Sequence, residues 1–184
     1  LSAGLVLTSC LVGGWLWVNL GQTIERRTST RIALLRWQHV FSHLKDAESG
    51  ARGYLMTEDP RYRAPFEQAR DLLPRLLMEA TAAERALEDG MPTAAIEEIQ
   101  RRLHACLGAT EEMITVTQRD GSARAILLFK DGETHAHMAR LQTLLDQHLD
   151  ELDGRLHTLD AQMQNALATG GRGLLALAAA SLVA

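Results

Sequence analysis

Charge is absent from the first twenty residues, LSAGLVLTSCLVGGWLWVNL, and a helix of that length, rising about 1.5 Å per residue, crosses the hydrocarbon of a bilayer. The pattern predicts a transmembrane helix over residues 1–20. Trp15 and Trp17 stand near its end and Glu25, Arg26 and Arg27 follow, the order expected of an interfacial aromatic belt and the return to water. A cleaved signal peptide would have a shorter apolar stretch and a small-residue cleavage site before the charges, and none stands out. At the other end Arg172 precedes GLLALAAASLVA, and this uncharged run predicts the start of a second span over residues 172–184. An opening on Leu1 and a close at Ala184 inside an apolar run lead us to expect a piece of a longer protein.

Between these ends, over residues 21–170, the period changes to that of amphipathic helices. Ile32, Leu35, Val40, Leu44 and Ala47 mark the apolar face of a first helix, which Thr57-Glu58-Asp59-Pro60 should end near Met56. A second carries Phe66, Ala69, Leu72, Leu73, Leu76, Leu77 and Ala80 toward a stop at Asp89-Gly90. Pro92 and Thr93 open a third, with Ile96, Ile99, Leu103, Leu107, Met113, Ile114 and Val116, which Asp120-Gly121-Ser122 breaks. A short piece around residues 123–130 and the break Asp131-Gly132 precede the most regular stretch. There Met138, Leu141, Leu145, Leu149, Leu152, Leu156, Leu159, Met163 and Ala166 recur every three or four residues, as in a left-handed bundle. This last helix, of about 35 residues and about 50 Å, should run on into the second span. The expected fold is all-α: an antiparallel four-helix bundle flanked by two transmembrane helices.

Composition supports helices and narrows the function. Of the 184 residues 46% are hydrophobic but only 4% aromatic, and there are just 4 prolines, a bias that long helices favour and strands do not. The length suits one domain with short appendages, and leaves no room for a sensor and a catalytic domain together. A net charge of −4 with scattered basic residues builds no stripe for nucleic acid. Cys10 lies in the first apolar run and Cys106 far away in an amphipathic stretch, so no disulfide framework is expected, and Cys106 reads as a small buried apolar residue.

Catalytic and metal constellations are also absent from the pattern. His39 and His43 share a helix face at i and i+4, but two nitrogens among Leu, Val and Phe do not complete a ligand set, and they read as surface or boundary residues. His135 and His137 point to different faces. No histidine follows a Glu at the three-residue spacing of di-iron bundles, and haem-attachment, phosphate-loop and nucleophile-elbow patterns are missing. Glu97-Glu98 with Arg101-Arg102, and Asp150-Glu151-Asp153, read as solvated faces. No enzyme activity, metal or cofactor is expected of this chain.

One motif stands apart. Residues 46–62 read DAESGARGYLMTEDPRY, where Glu48 and Arg52 are at the i, i+4 spacing of a helical ion pair and Gly50 and Gly53 leave one face open to a close neighbour. Read physically, the motif first holds a helix corner. Direct ligand contact is the second reading, with Arg52 and Tyr54 the candidates because a guanidinium and a phenol can fix an anion. The set Glu48, Ser49, Gly50, Arg52, Gly53, Tyr54, Leu55, Thr57, Pro60 and Tyr62 closely resembles the signature of the type 3 CHASE domain, an extracellular sensory family of bacterial receptors. Met56 and Glu58 depart mildly from it, standing where Leu and Gly are commoner.

The resemblance implies a periplasmic four-helix bundle, anchored in the bacterial inner membrane, that regulates a cytoplasmic histidine kinase, as in two-component systems, or a diguanylate cyclase. The expected partners are the membrane, a second copy of the chain in a homodimer, an output domain in the same full-length protein, and a small-molecule or protein stimulus that the resemblance does not name. A chemoreceptor-type ligand domain and a membrane-anchored structural scaffold are the competing readings.

Overall fold

The structure, a computed structural model, describes residues 2–129 and 133–183. Among these residues there are five α-helices and no strand: α1 (Ser2–Thr57), α2 (Arg63–Arg85), α3 (Thr93–Asp120), α4 (Ser122–Phe129) and α5 (Glu133–Val183), with a 3-10 turn (Pro60–Tyr62) before α2. The all-α expectation holds. The predicted break at Asp131-Gly132 lies outside the described residues. Among the described residues no helix is long and apolar enough to cross a membrane. The runs 1–20 and 172–184 include Leu1, Ala184 and several side chains, among them those of residues 5–9 and 180–183, that lie outside the description.

The chain divides into two compact units, Leu1–Arg31 with Leu152–Ala184, and Ile32–Glu151. In the first, segments of α1 and α5 lie side by side. The Leu16 side chain meets Gly170, where an added Cβ would come within 2.9 Å of it, and Arg27 pairs with Asp160. Pairings that ascend one helix while descending the other make the two segments antiparallel.

The second unit holds most of the core. On α1 the inward face is Ala33, Trp37, Val40, Leu44, Ala47, Ala51 and Tyr54, alternating steps of four and three. This corrects the expected face at its start: Ile32 and Leu35 are 47% and 46% exposed, because the Trp37 side chain, fully buried, sets the inward direction one position away. Arg36 pairs with Glu79, while Gly50 lies against Pro65 and Phe66, so α1 and α2 are antiparallel. Trp37 meets His148 and Glu48 meets Gln142, which makes α1 and α5 antiparallel as well.

Most of the helix boundaries have a local cause. Helix α1 ends at Thr57 because Glu58 turns left-handed (φ 56°) and Asp59 is extended before Pro60. The Asp59 carboxylate accepts from the Arg61 amide at 3.0 Å, capping the turn that Pro60 opens. Helix α2 stops at Arg85, short of the expected Asp89-Gly90. Gly90 passes so close to Glu84 that a Cβ would fall 2.4 Å from the Glu84 carbonyl, so the chain has already left the helix to double back. Gly121, at φ 83°, separates α3 from α4 alone. Helix α5 carries Met138, Leu141, Leu145 and Leu152 inward as expected, but His148 is buried and Leu149 only half-buried; the helix runs unbroken for 51 residues to Val183, continuing past Arg172 as its pattern led us to expect.

The glycines predict a graded series. Gly108 has nothing within 4 Å of an added Cβ, so Gly108→Ala should stabilise by about 0.5–1 kcal/mol through helix propensity alone. Gly50→Ala meets the Tyr62 carbonyl oxygen at 2.8 Å, backbone that cannot step aside, and should destabilise by about 1–3 kcal/mol. Gly53→Ala meets the Tyr62 ring, which can swing outward, and should fall between them. Urea unfolding of the three variants checks the order.

Candidate functional site

Two groups of side chains within Ile32–Glu151 do more than fill space. The first is the corner where α1 hands over to α2. Gly50 lies against the Tyr62 carbonyl, Pro65 and Phe66, an approach that a side chain there would prevent, and Gly53 lies against the Tyr62 ring, which a side chain would push aside. Glu48 accepts from Arg52 one turn on, and its other oxygen accepts from Gln142 Nε2 at 2.8 Å, so this carboxylate ties α1 to α5. The Thr57 hydroxyl donates to the Gly53 carbonyl at 2.8 Å and accepts from the Asp59 amide at 3.3 Å. Glu58 reaches across to α4, its Oε1 accepting from the Ser122 amide at 2.9 Å and hydroxyl at 2.6 Å. Those two donors hold the Glu58 carboxyl below its usual range and satisfy the start of α4.

The structure separates the two candidate ligand contacts. Arg52 is exposed with its guanidinium on Glu48; Tyr54 is buried, its ring 5.9 Å from the Arg63 guanidinium. Two residues apart on a helix, they do not share a face. Pro60 and Tyr62 are exposed at the turn. His39 is exposed and His43 half-buried, as expected of surface and boundary positions, and His137 is exposed. The His135 side chain lies outside the described residues. Among the described residues, no group of three or more His, Cys, Asp or Glu is placed to hold a metal ion. Cys106 is buried, and burial pushes its thiol up, in keeping with a small apolar role.

The second group was not anticipated. Glu84, on the last turn of α2, is 1% exposed. Its Oε2 accepts from the Trp37 indole at 2.9 Å and from His148 Nε2 at 3.0 Å, and its Oε1 accepts from the Met91 amide at 2.7 Å. The Trp37 and His148 rings meet edge to face, centroids 5.6 Å apart. His148 is itself 6% exposed, and its Nδ1 faces Glu151 at 3.9 Å. One carboxylate thus joins α1, α2, α5 and the α2–α3 connection. Burial pushes the Glu84 carboxyl up, but the His148, Met91 and Trp37 donors outweigh it and leave the group below its usual range, hence charged.

The sequence held a signal for this group. Glu84 is four residues beyond Ala80 and seven beyond Leu77, on the buried stripe of α2; His148 is three beyond Leu145 and four before Leu152, on that of α5.

A family model of the CHASE3 domain matches residues 23–162, which include the corner, the buried carboxylate and its partners. The chain belongs to the CHASE3 domain family. CHASE3 domains are extracellular sensory domains, so the match makes this a sensory domain. Neither the curated proteins nor the solved structures contain a match to it.

The Glu84 carboxylate sets a pH dependence with a definite sign. Its folded pKa lies below the ordinary 4.5, so its stabilisation is complete above pH 4.5 and is lost as pH falls through the folded value. Glu84→Gln turns an amide NH2 toward inward-pointing donors and should cost about 2–4 kcal/mol at neutral pH. Unfolding free energies of the two proteins, measured from pH 7 downward, should converge below pH 4.5; a gap that widens there contradicts the assignment.

Proposed function

We propose that this CHASE3 domain is the extracytoplasmic sensory module of a bacterial membrane receptor and that it relays a periplasmic stimulus to a cytoplasmic output in the same full-length protein. The match over residues 23–162 to an extracellular sensory family carries the reading. In it, residues 1–20 and 172–184 are inner-membrane spans, supported by the charge-free opening run, by Trp15 and Trp17, and by the uncharged stretch after Arg172. Residues 21–170 then form a periplasmic antiparallel four-helix bundle, a reading that the antiparallel pairings of α1 with α2 and α5 support. The output is a histidine kinase of a two-component system or a diguanylate cyclase, and the receptor is a homodimer. In this reading the sensory domain itself performs no catalysis.

The stimulus enters at the bundle and leaves along α5, which continues unbroken from Glu133 to Val183. Small axial, rotational or tilting displacements of such a helix are a known means of switching. Of the two ligand candidates Arg52 is the accessible one, its side chain more than half exposed, and its guanidinium suits an anionic group. Tyr54 is reached only if the α1–α2 corner opens.

Topology and relay are tested in the full-length protein in cells. A cysteine introduced as Met78→Cys, at an exposed position, should react with a membrane-impermeant maleimide in cells whose inner membrane is intact, and the labelled protein should sediment with membranes until detergent is added. Labelling only after inner-membrane lysis, or recovery without detergent, overturns the proposed placement. Crosslinking α1 to α5 should then change kinase or cyclase output, and unchanged output would favour a scaffold.

A further inference from the structure

Apolar packing determines which face of a helix turns inward, but it is non-directional and holds the helix only loosely along its own axis. Within Ile32–Glu151, α5 offers the core Met138, Leu141 and Leu145, side chains of similar size that could replace one another one turn along. Among the described residues, the polar contacts of Gln142 and His148 with other helices of this unit break that equivalence. Gln142 meets Glu48 at a half-buried site, where water can substitute for a lost partner. His148 meets Glu84 where both are buried, and there water cannot.

We infer that the Trp37–Glu84–His148 contact is a register lock, which admits one axial position of α5 against α1 and α2 and makes any axial displacement all-or-none. The neighbouring residues of α5 carry the argument. A shift of one turn, about 5.4 Å, brings Leu144 or Leu145 opposite Glu84 in one direction and Glu151 or Leu152 in the other. None of these can donate a hydrogen bond to a carboxylate, and Glu151 would add like charge. Every adjacent register therefore leaves a buried carboxylate short of a donor, and intermediate positions gain nothing in return. The signalling use of the lock rests on the sensory reading above; the lock itself is a property of the chain.

Disulfide trapping in the full chain in membranes reads the register directly, whatever the output domain does. In a Cys10→Ser, Cys106→Ala background, Glu48→Cys is combined with Gln142→Cys, which reports the native register, or with Met138→Cys or Asp146→Cys, which report one turn either way. Four residues displace a Cα by about 6 Å along the helix, enough to remove the off-register pairs from bonding range. Glu48→Cys also removes the Gln142 contact, which leaves the buried cluster as the contact under test. With Glu84 and His148 intact, the 48–142 bond should form at least about tenfold faster than the others. Replacing the pair by apolar residues, Glu84→Met with His148→Leu, should bring the three rates to within about threefold, in a folded protein with a lowered melting temperature because the Trp37 indole and the Met91 amide lose their acceptor. His148→Gln, which keeps a donor at similar reach, should restore the native preference.

Retention of the 48–142 preference in the folded double variant would overturn the lock, and so would failure of His148→Gln to restore it. If Glu84→Met with His148→Leu does not fold, Glu84→Gln with His148→Leu serves instead, since the amide oxygen still accepts from one of the two donors, Trp37 or Met91. None of these results bears on the maleimide labelling, so failure of the lock and failure of the receptor reading are distinguishable.

Discussion

A charged carboxylate in a helical core has to be surrounded by donors, and the position of Glu84 dictates much of what surrounds it. Removing such an ion from water costs several kcal/mol even after relaxation, so its neighbours are placed to return hydrogen bonds. The Trp37 indole, the His148 ring and the Met91 amide do so, and each brings a different part of the chain. Trp37 fixes the rotation of α1, which is why Ile32 and Leu35 face outward. Met91 can reach the carboxylate only if α2 ends early, and Gly90 alone permits the tight return past the Glu84 backbone. A helix end, a loop route and a helix rotation follow from one buried charge.

The α1–α2 corner solves a different problem with different means. There close approach, not charge, is the constraint: Gly50 and Gly53 give up side chains so that Tyr62, Pro65 and Phe66 can lie against α1. The cost of two glycines in a helix, about 1 kcal/mol each relative to alanine, is offset by this packing. Glu58 adds a link the motif alone does not suggest. Its left-handed backbone ends α1, which explains why glycine is the commoner residue there, while its carboxylate caps α4 from the far side of the sequence, which glycine could not do. Trp37 and Gly50 are thirteen residues apart on one helix, roughly 20 Å, so α1 is held sterically near one end of this unit and electrostatically farther along.

The helices and most of their ends were legible because helix signals here are strong and local. Apolar residues at three- and four-residue steps, Pro60 and Pro92 at helix starts and Gly121 between helices each act within a few residues, and the structure follows them closely. The corner was legible too, since paired glycines and an i, i+4 ion pair state their geometry in the sequence. Glu84 and His148 were not recognised because each, taken singly, is an ordinary polar residue. Their meaning lies in a tertiary contact between positions 64 residues apart, and only their place on otherwise apolar stripes hinted at it. The end of α2 was misplaced for the same reason: Asp89-Gly90 is a good local stop, overridden by a tertiary demand at Glu84.

That asymmetry bears on how a helix can be both firmly packed and movable. A seam of leucines stabilises α5 against its neighbours in several axial positions almost equally, so by itself it would let a weak stimulus produce a small, graded shift. A buried ion with a single matching donor on α5 removes that freedom, because partial displacement loses the hydrogen bond without gaining another. In the proposed receptor the stimulus must therefore supply enough differential binding energy to break the contact outright, and below that threshold α5 stays where it is. The apolar seam provides much of the stability and the buried polar pair provides the threshold; exchanging the pair for apolar side chains would keep the seam and lose the threshold.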